Sequence, residues 1–247
     1  MQNQPSVSRA DDSLERTLIV VPTYNESANI AELVRQIFSN LDQAHVLIVD
    51  DNSPDGTADV AEQLRDNHPN LHLLRRAGER GLGRAYTAGV YYGLDNGFQI
   101  IGTMDADLSH DPANLPAMRA LLRTNDVVIG SRYVRGGGTV NWSAGRILLS
   151  WTANKFAAAL LRIPAHDITS GYRLYRRHAL EWIRTAEVKS TGYSFLSELL
   201  YRAYRGGARI AEHPIVFHDR TMGVSKLHRR EIYLGAINLL RLRFSRR

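Results

Sequence analysis

Cysteine is absent from the 247 residues of this chain, and so are long apolar runs. Without thiols the chain can form neither a disulfide bond nor a thiolate metal site, and this absence fits a cytoplasmic protein. No stretch approaches the roughly 18 consecutive apolar residues that indicate a membrane-spanning helix, so none is predicted. The polar start has no apolar signal core, and we expect residues 1–16 to form a disordered tail.

Linkers, internal repeats and low-complexity tracts are missing as well. With 44% hydrophobic and 23% charged residues, the composition is that of an ordinary folded protein. The length is sufficient for one large α/β domain with a substantial core. We therefore expect a single domain over residues 17–227, followed by a C-terminal segment over residues 228–247.

The formal net charge is +6, which indicates an anionic partner. Nucleic acid is not expected to be that partner, because the arginines are not interleaved with aromatic residues. The sequence also has no helix-turn-helix, zinc or OB-fold signature. Acidic lipids and the phosphates of a nucleotide sugar are the anions that fit.

Apolar runs and helical stripes alternate along the chain, and this order predicts a mostly parallel, doubly wound sheet flanked by helices. Short apolar runs bounded by turn residues are typical of buried strands, and apolar residues on one stripe are typical of helices. The predicted strands cover residues 17–21, 46–49, 71–74, 100–104, 126–130, 168–175 and 209–217. The predicted helices include residues 28–41, 59–67 and 143–161 and one that begins at Ser194.

Two aspartates separated by one small residue, Asp105 and Asp107, follow the fourth of these strands. At a strand end this spacing turns two carboxylates toward one point, which suits a hard cation such as Mg²⁺ or Mn²⁺. On spacing alone, an acidic turn in which Asp111 precedes Pro112 is an equal alternative. The candidates that follow earlier strands are Tyr24, Glu26, Asp50 and Asp51. The carboxyl ends of parallel strands meet at one edge of a sheet, so we expect these groups to lie together.

The C-terminal segment, residues 228–247, has the pattern of a basic amphipathic helix over residues 231–244. Its apolar side chains near one face are Ile232, Ile237, Leu240 and Phe244, and arginines surround them. A helix of this kind can lie on an anionic membrane surface. The alternative is a terminal helix that packs on the core and has a solvated basic end.

Five motifs give the chain its resemblance to a known family: PTYNE (22–26), VDDNSPDGT (49–57), GLG (81–83), DADLSH (105–110) and GSRYV (130–134). Together they resemble the family 2 glycosyltransferases, whose GT-A fold is a Rossmann-like, mostly parallel sheet. Three later motifs resemble the polyprenol (dolichol) phosphate mannose synthase branch: DITSGYRLYRR (167–177), GYSFLSE (192–198) and DRTMGVSKL (219–227). The resemblance runs from about residue 17 to residue 227.

This resemblance implies that the chain transfers mannose from GDP-mannose to a polyprenyl (dolichyl) monophosphate, with inversion at the anomeric carbon. The family's donor-binding positions match Pro22, Tyr24, Glu26, Val49, Asp51, Asp105, Ala106, Asp107, Arg220 and Lys226. The positions that bind Mg²⁺ or Mn²⁺ match Asp105 and Asp107, and those that bind the acceptor phosphate match Arg132, Arg146 and Ser150. The expected catalytic residues are Asp105, Asp107, Arg132 and Arg220.

Ser109 stands where many relatives carry glutamine as a further metal ligand. A serine side chain is shorter, so we expect Ser109 to reach the metal through water. Two other acids are open to two interpretations. Asp167 and Glu198 either orient the arginines or the sugar hydroxyls, or form buried ion pairs.

The expected chemistry needs no strong general base, because a phosphate monoester already carries negative charge near neutral pH. Positioning and charge stabilisation are then sufficient. Arg132 and Arg146 would hold and orient the acceptor oxygens, whereas the metal, Arg220 and Lys226 would stabilise the departing GDP. We expect the lipid beside the helix that contains Arg146 and Ser150.

Two alternative functions share some of these features. A prenyl phosphate glucosyltransferase that uses UDP-glucose would share the early motifs, although such enzymes usually carry added transmembrane helices. A non-catalytic subunit that binds nucleotide sugars is disfavoured by the metal aspartates and the arginines. We expect a cytoplasmic protein, peripheral at the cytosolic face of a membrane, and a separate membrane-anchoring subunit is an open alternative.

Overall fold

The computed structural model describes residues 15–184, 194–219 and 229–244. In these ranges the strands are β1 (Thr17–Thr23), β2 (His45–Asp50), β3 (Leu71–Arg75), β4 (Ile100–Thr103), β5 (Val127–Ser131), β6 (Gly138–Val140), β7 (Arg173–Arg176), β8 (Ile210–Pro214) and β9 (Val216–His218). The helices are α1 (Ile30–Asn40), α2 (Thr57–Arg65), α3 (Leu82–Asp95), α4 (Leu115–Leu121), α5 (Ala144–Leu161), α6 (Ser194–Arg205) and α7 (Arg229–Phe244). Short 3₁₀ helices lie at Pro112–Asn114, Arg177–Ala179 and Glu181–Arg184.

The main sheet has the strand order β3-β2-β1-β4-β7-β5-β8. Its neighbours pair in parallel except for β7, which is antiparallel to both β4 and β5. The predicted mostly parallel sheet is therefore confirmed. A second, two-stranded parallel sheet joins β6 to β9 and was not predicted.

Two of the predicted strands were wrong in their extent. The strand expected over residues 168–175 is limited to β7, because side chains occupy the backbone groups before it. The Thr169 N–H donates to the side chain of Asn154 at 3.0 Å, and the Ile168 carbonyl accepts from the Arg173 guanidinium at 2.6 Å. The strand expected over residues 209–217 is divided at Ile215, whose N–H donates to the Ser131 carbonyl at 3.0 Å.

Every residue of β1 is buried, and its side chains alternate between two apolar layers. Leu18 and Val20 pack with residues of α3, α5 and α6 on one face of the sheet. Ile19 and Val21 pack with residues of α1, α2 and α4 on the other face. Each fully buried aliphatic side chain stabilises the fold by about 1.5–3 kcal/mol. The sheet is thus covered by helices on both faces, and its strand ends are left to carry polar loops.

Helix α3 lies unusually close to the sheet. A Cβ atom added at Gly89 would lie 2.2 Å from Cγ1 of Val20, so only glycine allows this approach. The approach holds the N-terminal half of α3 beside the loops that follow β2 and β4. Substituting Gly89 would therefore displace polar groups that α3 brings to these loops.

Helix α5 is exposed over most of its length, and its buried residues are only Asn154, Ala157 and Leu161. Its N-terminus is capped by the Ser143 hydroxyl, which accepts from the Arg146 N–H at 3.3 Å. Helix α7 packs against α5 and α6. This agrees with the alternative in which the C-terminal segment forms a helix that packs on the core. Within the described ranges, no helix combines the length and apolarity needed to cross a membrane.

Candidate active site

Polar loops follow β1, β2, β4 and β5 at one edge of the main sheet, where open α/β sheets bind ligands. Three residues of these loops have left-handed backbone conformations although none is glycine. Their φ angles are 59° at Asn25, 57° at Asn52 and 61° at Leu108. Such conformations cost about 1–3 kcal/mol each and cluster at functional sites. The backbone therefore indicates a binding site at the same edge as the predicted acids.

Asp105 and Asp107 lie directly after β4, as predicted, and each carboxylate is held by hydrogen bonds. The Tyr86 hydroxyl donates to Oδ1 of Asp105 at 2.7 Å. Oδ1 of Asp107 accepts from the Ser109 N–H at 3.1 Å and from the Ser109 hydroxyl at 2.5 Å. Asp107 and Ser109 are buried, whereas the Asp105 side chain keeps 26% of its surface exposed.

His110 is buried beneath this pair. Its Nδ1 accepts from the Asp105 N–H at 3.2 Å, which requires that Nδ1 carry no proton. Burial lowers the pKa of His110, although the carboxylates of Asp105 and Asp107 act in the opposite direction. The imidazole is therefore neutral near pH 7, and its role here is to hold the Asp-x-Asp turn.

The oxygen ligands of this turn fit a hard divalent cation. No group of three or more His, Cys, Asp or Glu side chains in the described ranges could hold a metal ion. Two carboxylates match magnesium-type sites, in which substrate phosphates and water supply the other ligands. The Ser109 hydroxyl donates to the Asp107 carboxylate, and the expectation that Ser109 reaches the metal through water stays a prediction.

The loop after β2 forms the second part of the site. Asp51 is buried, and its Oδ1 pairs with the Arg76 guanidinium while its Oδ2 accepts from the Gly81 N–H at 2.8 Å. The hydroxyl of Tyr24 accepts from Arg80, whose Cζ lies 4.7 Å from the centre of the Tyr24 ring. The loop between β3 and α3 therefore contributes two arginines that the sequence analysis missed.

Other predicted donor-binding residues occupy this edge in different ways. Pro22 and Val49 are buried register partners on β1 and β2, and Ala106 is buried between the two aspartates. The Glu26 carboxylate accepts from the Asn29 side chain at 2.9 Å. Arg220 and Lys226 lie outside the described residues.

Helix α3 connects the two acidic loops. Gly81, the residue before its first turn, donates to Asp51, and Tyr86 in its second turn donates to Asp105. The GLG motif was singled out in the sequence, but Tyr86 was not among the candidate site residues. A tyrosine at a core position near an acidic motif is the signal that could have indicated this hydroxyl, since buried tyrosines usually find a hydrogen-bond partner.

Arg132 follows β5 and forms a bidentate ion pair with Asp167. Its Nε and Nη2 donate to the two carboxylate oxygens at 2.7 Å each, and Nη2 also donates to the Thr169 hydroxyl at 2.8 Å. The Asp167 side chain is fully buried and that of Arg132 is 9% exposed. Although burial acts against ionisation, the Arg132 guanidinium holds the pKa of Asp167 below its ordinary value. Asp167 thus orients an arginine, one of the roles considered for it.

Arg146 lies in the first turn of α5 and pairs with Asp219 at 2.9 Å. Its Cζ is 4.0 Å from the centre of the Trp142 ring. A chain of aromatic contacts continues from Trp142 through Phe217 to His110, with ring centres 5.4 Å apart at each step. The arginines and the Asp-x-Asp turn therefore belong to one continuous site.

Ser150 and Glu198 complete the predicted set. Ser150 lies one turn after Arg146 on α5, on the same face, and its carbonyl accepts from the Asn154 side chain at 2.9 Å. The Glu198 side chain is fully buried and pairs with Arg202 at 2.7 Å, so the ion-pair interpretation fits its observed geometry.

Comparison with known proteins identifies the class to which this site belongs. Residues 18–184, more than half of the chain, match the profile of glycosyl transferase family 2. The chain is therefore a member of glycosyl transferase family 2, and the predicted family is confirmed.

Two relatives narrow the comparison within that family. This chain is 44% identical to the polyprenol monophosphomannose synthase of Mycolicibacterium smegmatis over 215 residues, which cover 86% of this chain and 81% of the relative. It is 39% identical to the undecaprenyl-phosphate mannosyltransferase of Micrococcus luteus over 226 residues, which cover 92% of this chain and 93% of the relative. The likeness to both proteins extends well beyond the residues matched by the family profile.

Solved structures show the same fold. Glucosyl-3-phosphoglycerate synthase from Mycobacterium tuberculosis, in complex with Mn²⁺ and UDP, matches with a TM-score of 0.65 at 18% identity, covering 98% of this chain and 86% of that one. A mannosyltransferase from Pyrobaculum calidifontis, in complex with GDP-Man and Mn²⁺, matches with a TM-score of 0.58 at 20% identity, covering 98% and 67%. The predicted GT-A fold is confirmed by these likenesses.

Proposed function

We propose that this chain transfers mannose from GDP-mannose to a polyprenyl monophosphate, inverting the anomeric carbon and forming polyprenyl phosphate mannose. The observation that carries the proposal is the likeness, at 44% and 39% identity over most of the chain, to two enzymes named for mannose transfer to prenyl phosphates. The geometry agrees, because paired carboxylates and an oriented arginine share one sheet edge.

For the donor, we assign the divalent cation, Mg²⁺ or Mn²⁺, to Asp105 and Asp107. When bound, such a cation offsets the negative charge that develops on the departing diphosphate. Tyr86 fixes Asp105, and Ser109 fixes Asp107. Arg220 and Lys226 complete the diphosphate site in this proposal.

For the nucleoside, we assign the loops after β1 and β2. A carboxylate has about four lone-pair sites, and Asp51 uses one site on each oxygen for Arg76 and Gly81. The remaining sites allow Asp51 to accept hydrogen bonds from the nucleoside. Tyr24, Glu26 and Ala106 line the same edge, and Pro22 and Val49 would contribute through their backbone because their side chains are buried.

For the acceptor, we assign the phosphate to Arg132, Arg146 and Ser150. Since Nε and Nη2 of Arg132 are engaged with Asp167 and Thr169, Arg132 would reach the phosphate through Nη1. The pair with Asp167 orients the guanidinium before the acceptor arrives, so little ordering remains when it binds. Arg132, Arg146 and Ser150 would hold one phosphate oxygen in line with the anomeric carbon of mannose. No side chain need remove a proton from the acceptor, because its phosphate is already ionised.

The lipid and the membrane are assigned to α5. Its exposed apolar side chains are Ile147, Leu148, Leu149, Trp151 and Phe156. They share the helix with Arg146 and Ser150, so a prenyl chain whose phosphate is bound there can leave along an apolar surface. Leu240 and Phe244 of the adjacent α7 are exposed as well. The net charge of +6 suits the anionic cytosolic face of a membrane.

The experiment that tests the function measures mannosyl transfer from GDP-mannose to a polyprenyl phosphate in lipid vesicles. We expect transfer only with Mg²⁺ or Mn²⁺ present and little from UDP-glucose. Transfer from UDP-glucose instead would identify a prenyl phosphate glucosyltransferase. Transfer by the isolated chain would show that a separate anchoring subunit is not needed, whereas no transfer from either donor would refute the proposal for the chain alone.

Asp105→Asn tests the cation assignment. We expect it to lower turnover by about a hundredfold or more, because the amide cannot replace a charged metal ligand. The matched control is Asp111→Asn, since the exposed Asp111 caps a 3₁₀ helix and asparagine caps equally well. Asp105→Asn should keep the urea midpoint of the wild type, and Asp111→Asn should keep both the midpoint and the turnover. Undiminished turnover by Asp105→Asn would overturn the cation assignment.

A further inference from the structure

Two buried polar atoms lie without hydrogen-bond partners in the connection between β5 and α5. They are the hydroxyl oxygen of Tyr133 and the indole Nε1 of Trp142. Only one other side-chain atom in the described ranges, Nε of Arg173, shares this state. Buried donors are nearly always paired in native proteins, so two in one short connection require an explanation.

The rings that carry both donors lie beside the arginines of the candidate site. Cζ of Arg132 is 5.3 Å from the centre of the Tyr133 ring and 5.5 Å from that of the Trp142 ring. Trp142 is also in contact with Arg146, whose Cζ is 4.0 Å from the ring centre. The carboxylates nearest to the two guanidinium groups, Asp167 and Asp219, are already engaged by them.

The missing component of such a cluster is an acceptor. An O–H, an indole N–H and two guanidinium groups are all donors, and two of them are cationic. A ligand that satisfies them must present several oxygen atoms and negative charge, as a phosphate monoester does. A sugar hydroxyl satisfies the donors less well, because it carries no charge to match the guanidinium groups.

We propose that the Tyr133 hydroxyl and the Trp142 indole N–H donate hydrogen bonds to the phosphate of the prenyl acceptor. This inference rests on the proposed function and adds two acceptor-binding residues to it. In the free protein the two donors are left unpaired, and the acceptor phosphate satisfies them. The two rings also pack against the guanidinium groups, so each side chain has a packing role and a separate donor role.

The variants Tyr133→Phe and Trp142→Phe separate these roles, because each removes the donor and keeps an aromatic ring. We expect each to raise the KM for farnesyl phosphate about tenfold, the loss expected for a hydrogen bond to a charged group. The KM for GDP-mannose should not change. The urea midpoint of the free Tyr133→Phe protein should stay equal or rise, because no hydrogen bond is lost in the free state. Trp142→Phe also loses part of its ring packing, so its midpoint should fall, but by less than that of a tryptophan variant that loses a hydrogen bond as well.

Matched controls remove the same atoms where a partner exists. The Tyr91 hydroxyl donates to the Ile183 carbonyl at 2.9 Å, and Nε1 of Trp182 donates to the Ala179 carbonyl at 3.0 Å. Tyr91→Phe and Trp182→Phe should therefore lower the urea midpoint and leave the KM for farnesyl phosphate unchanged. Each variant is compared with the control of the same residue type, and the two members of each pair are expected to differ in both measurements.

Three results would overturn the inference: an unchanged KM for farnesyl phosphate in both variants, a urea midpoint that falls as in the controls, or a raised KM for GDP-mannose instead. The last would assign the donors to the nucleotide sugar. Calorimetric titration with farnesyl phosphate and, separately, with GDP gives the same comparison without turnover. If the wild type proves inactive, weaker farnesyl phosphate binding by the variants alone still supports the inference, and equal binding refutes it.

Discussion

At the scale of single residues, the acceptor side of the site depends on one buried ion pair. Asp167 is fully buried, and it accepts from the side chain of Arg132 and from its backbone N–H at 3.0 Å. The Asp167 N–H in turn donates to Glu212 at 3.0 Å. Arg132 therefore has one well-defined orientation before any phosphate binds.

Asp167→Asn should destabilise the protein by about 3 kcal/mol or more, because removing one partner leaves a buried charge uncompensated. Turnover should also fall, since the amide N–H₂ would face the Arg132 donors and displace them. Urea unfolding measures the first effect, and mannosyl transfer measures the second. The expected KM change is confined to the prenyl phosphate.

The comparison for this variant is Asp59→Asn. Asp59 pairs with Arg75, and their side chains are 69% and 52% exposed. Exposed ion pairs contribute at most about 1 kcal/mol, so this substitution should cost little. If the two variants lose the same amount of stability, the buried Arg132–Asp167 pair stabilises the fold no more than an exposed ion pair does.

At the scale of elements, α5 has two opposite faces with different tasks. Its buried face carries Asn154, which donates to the Thr169 hydroxyl and accepts from the Thr169 N–H, both at 3.0 Å. Thr169 in turn contacts Arg132. The outer face carries exposed apolar residues. One helix thus connects the proposed lipid surface to the arginine that is assigned to the lipid's phosphate.

The double variant Leu148→Glu, Leu149→Glu tests the outer face. These side chains are 61% and 53% exposed, so folding should be unaffected. Fully burying a leucine is worth about 1.5–3 kcal/mol, and two acidic side chains also oppose an anionic surface. We expect partitioning into phosphatidylglycerol vesicles, measured by sedimentation, to fall more than about tenfold.

A charge-matched control places the same two negative charges on α2 and the turn that follows it. Gln63→Glu combined with Asn67→Asp changes exposed polar residues and removes no apolar surface. Its partitioning should decrease far less than that of the α5 variant. Equal losses in the two proteins would mean that net charge, rather than the α5 surface, attaches the chain to vesicles.

The elements with a strong burial pattern could be predicted from the sequence. Strand pairing and side-chain partners that depend on long-range contacts could not. The runs that form β1 and β2 are apolar throughout, so burial on both faces was readable. A strand that overlaps β7 was predicted, but its antiparallel pairing was not, because pairing direction leaves no mark on its four residues. The aspartates at strand ends were found by motif, whereas Tyr86, Arg76 and Trp142 each contact a residue far along the chain, namely Asp105, Asp51 and Phe217.

At the scale of the whole molecule, stability depends on pH through four histidines of the described ranges, whose pKa values are lowered. His45 and His72 stack with ring centres 5.2 Å apart, and their nitrogens lie 2.9 Å from each other. Burial lowers the pKa of each, and nearby cationic groups add to the effect. Burial also lowers the pKa of His110 and His213.

In the unfolded chain these imidazoles titrate near their ordinary pKa of about 6.5. A pKa that is lower in the folded state means that the unfolded state binds more protons between the two values, so stability rises with pH there. The contribution is complete above about pH 6.5 and is lost as the pH falls from there through the lower pKa of the folded state. We therefore expect the urea midpoint to decrease between about pH 7.5 and 5.5, before the carboxylates titrate.

The double variant His45→Gln, His72→Gln isolates the stacked pair, since His110 and His213 stay in place. Glutamine keeps a polar side chain but does not titrate, so the pH dependence of the urea midpoint should become shallower. His68, which stacks on Phe38 with ring centres 4.8 Å apart, provides the comparison as His68→Gln. If the double variant and His68→Gln have the same pH dependence, the stacked pair does not contribute to acid sensitivity, and His110 and His213 must account for it.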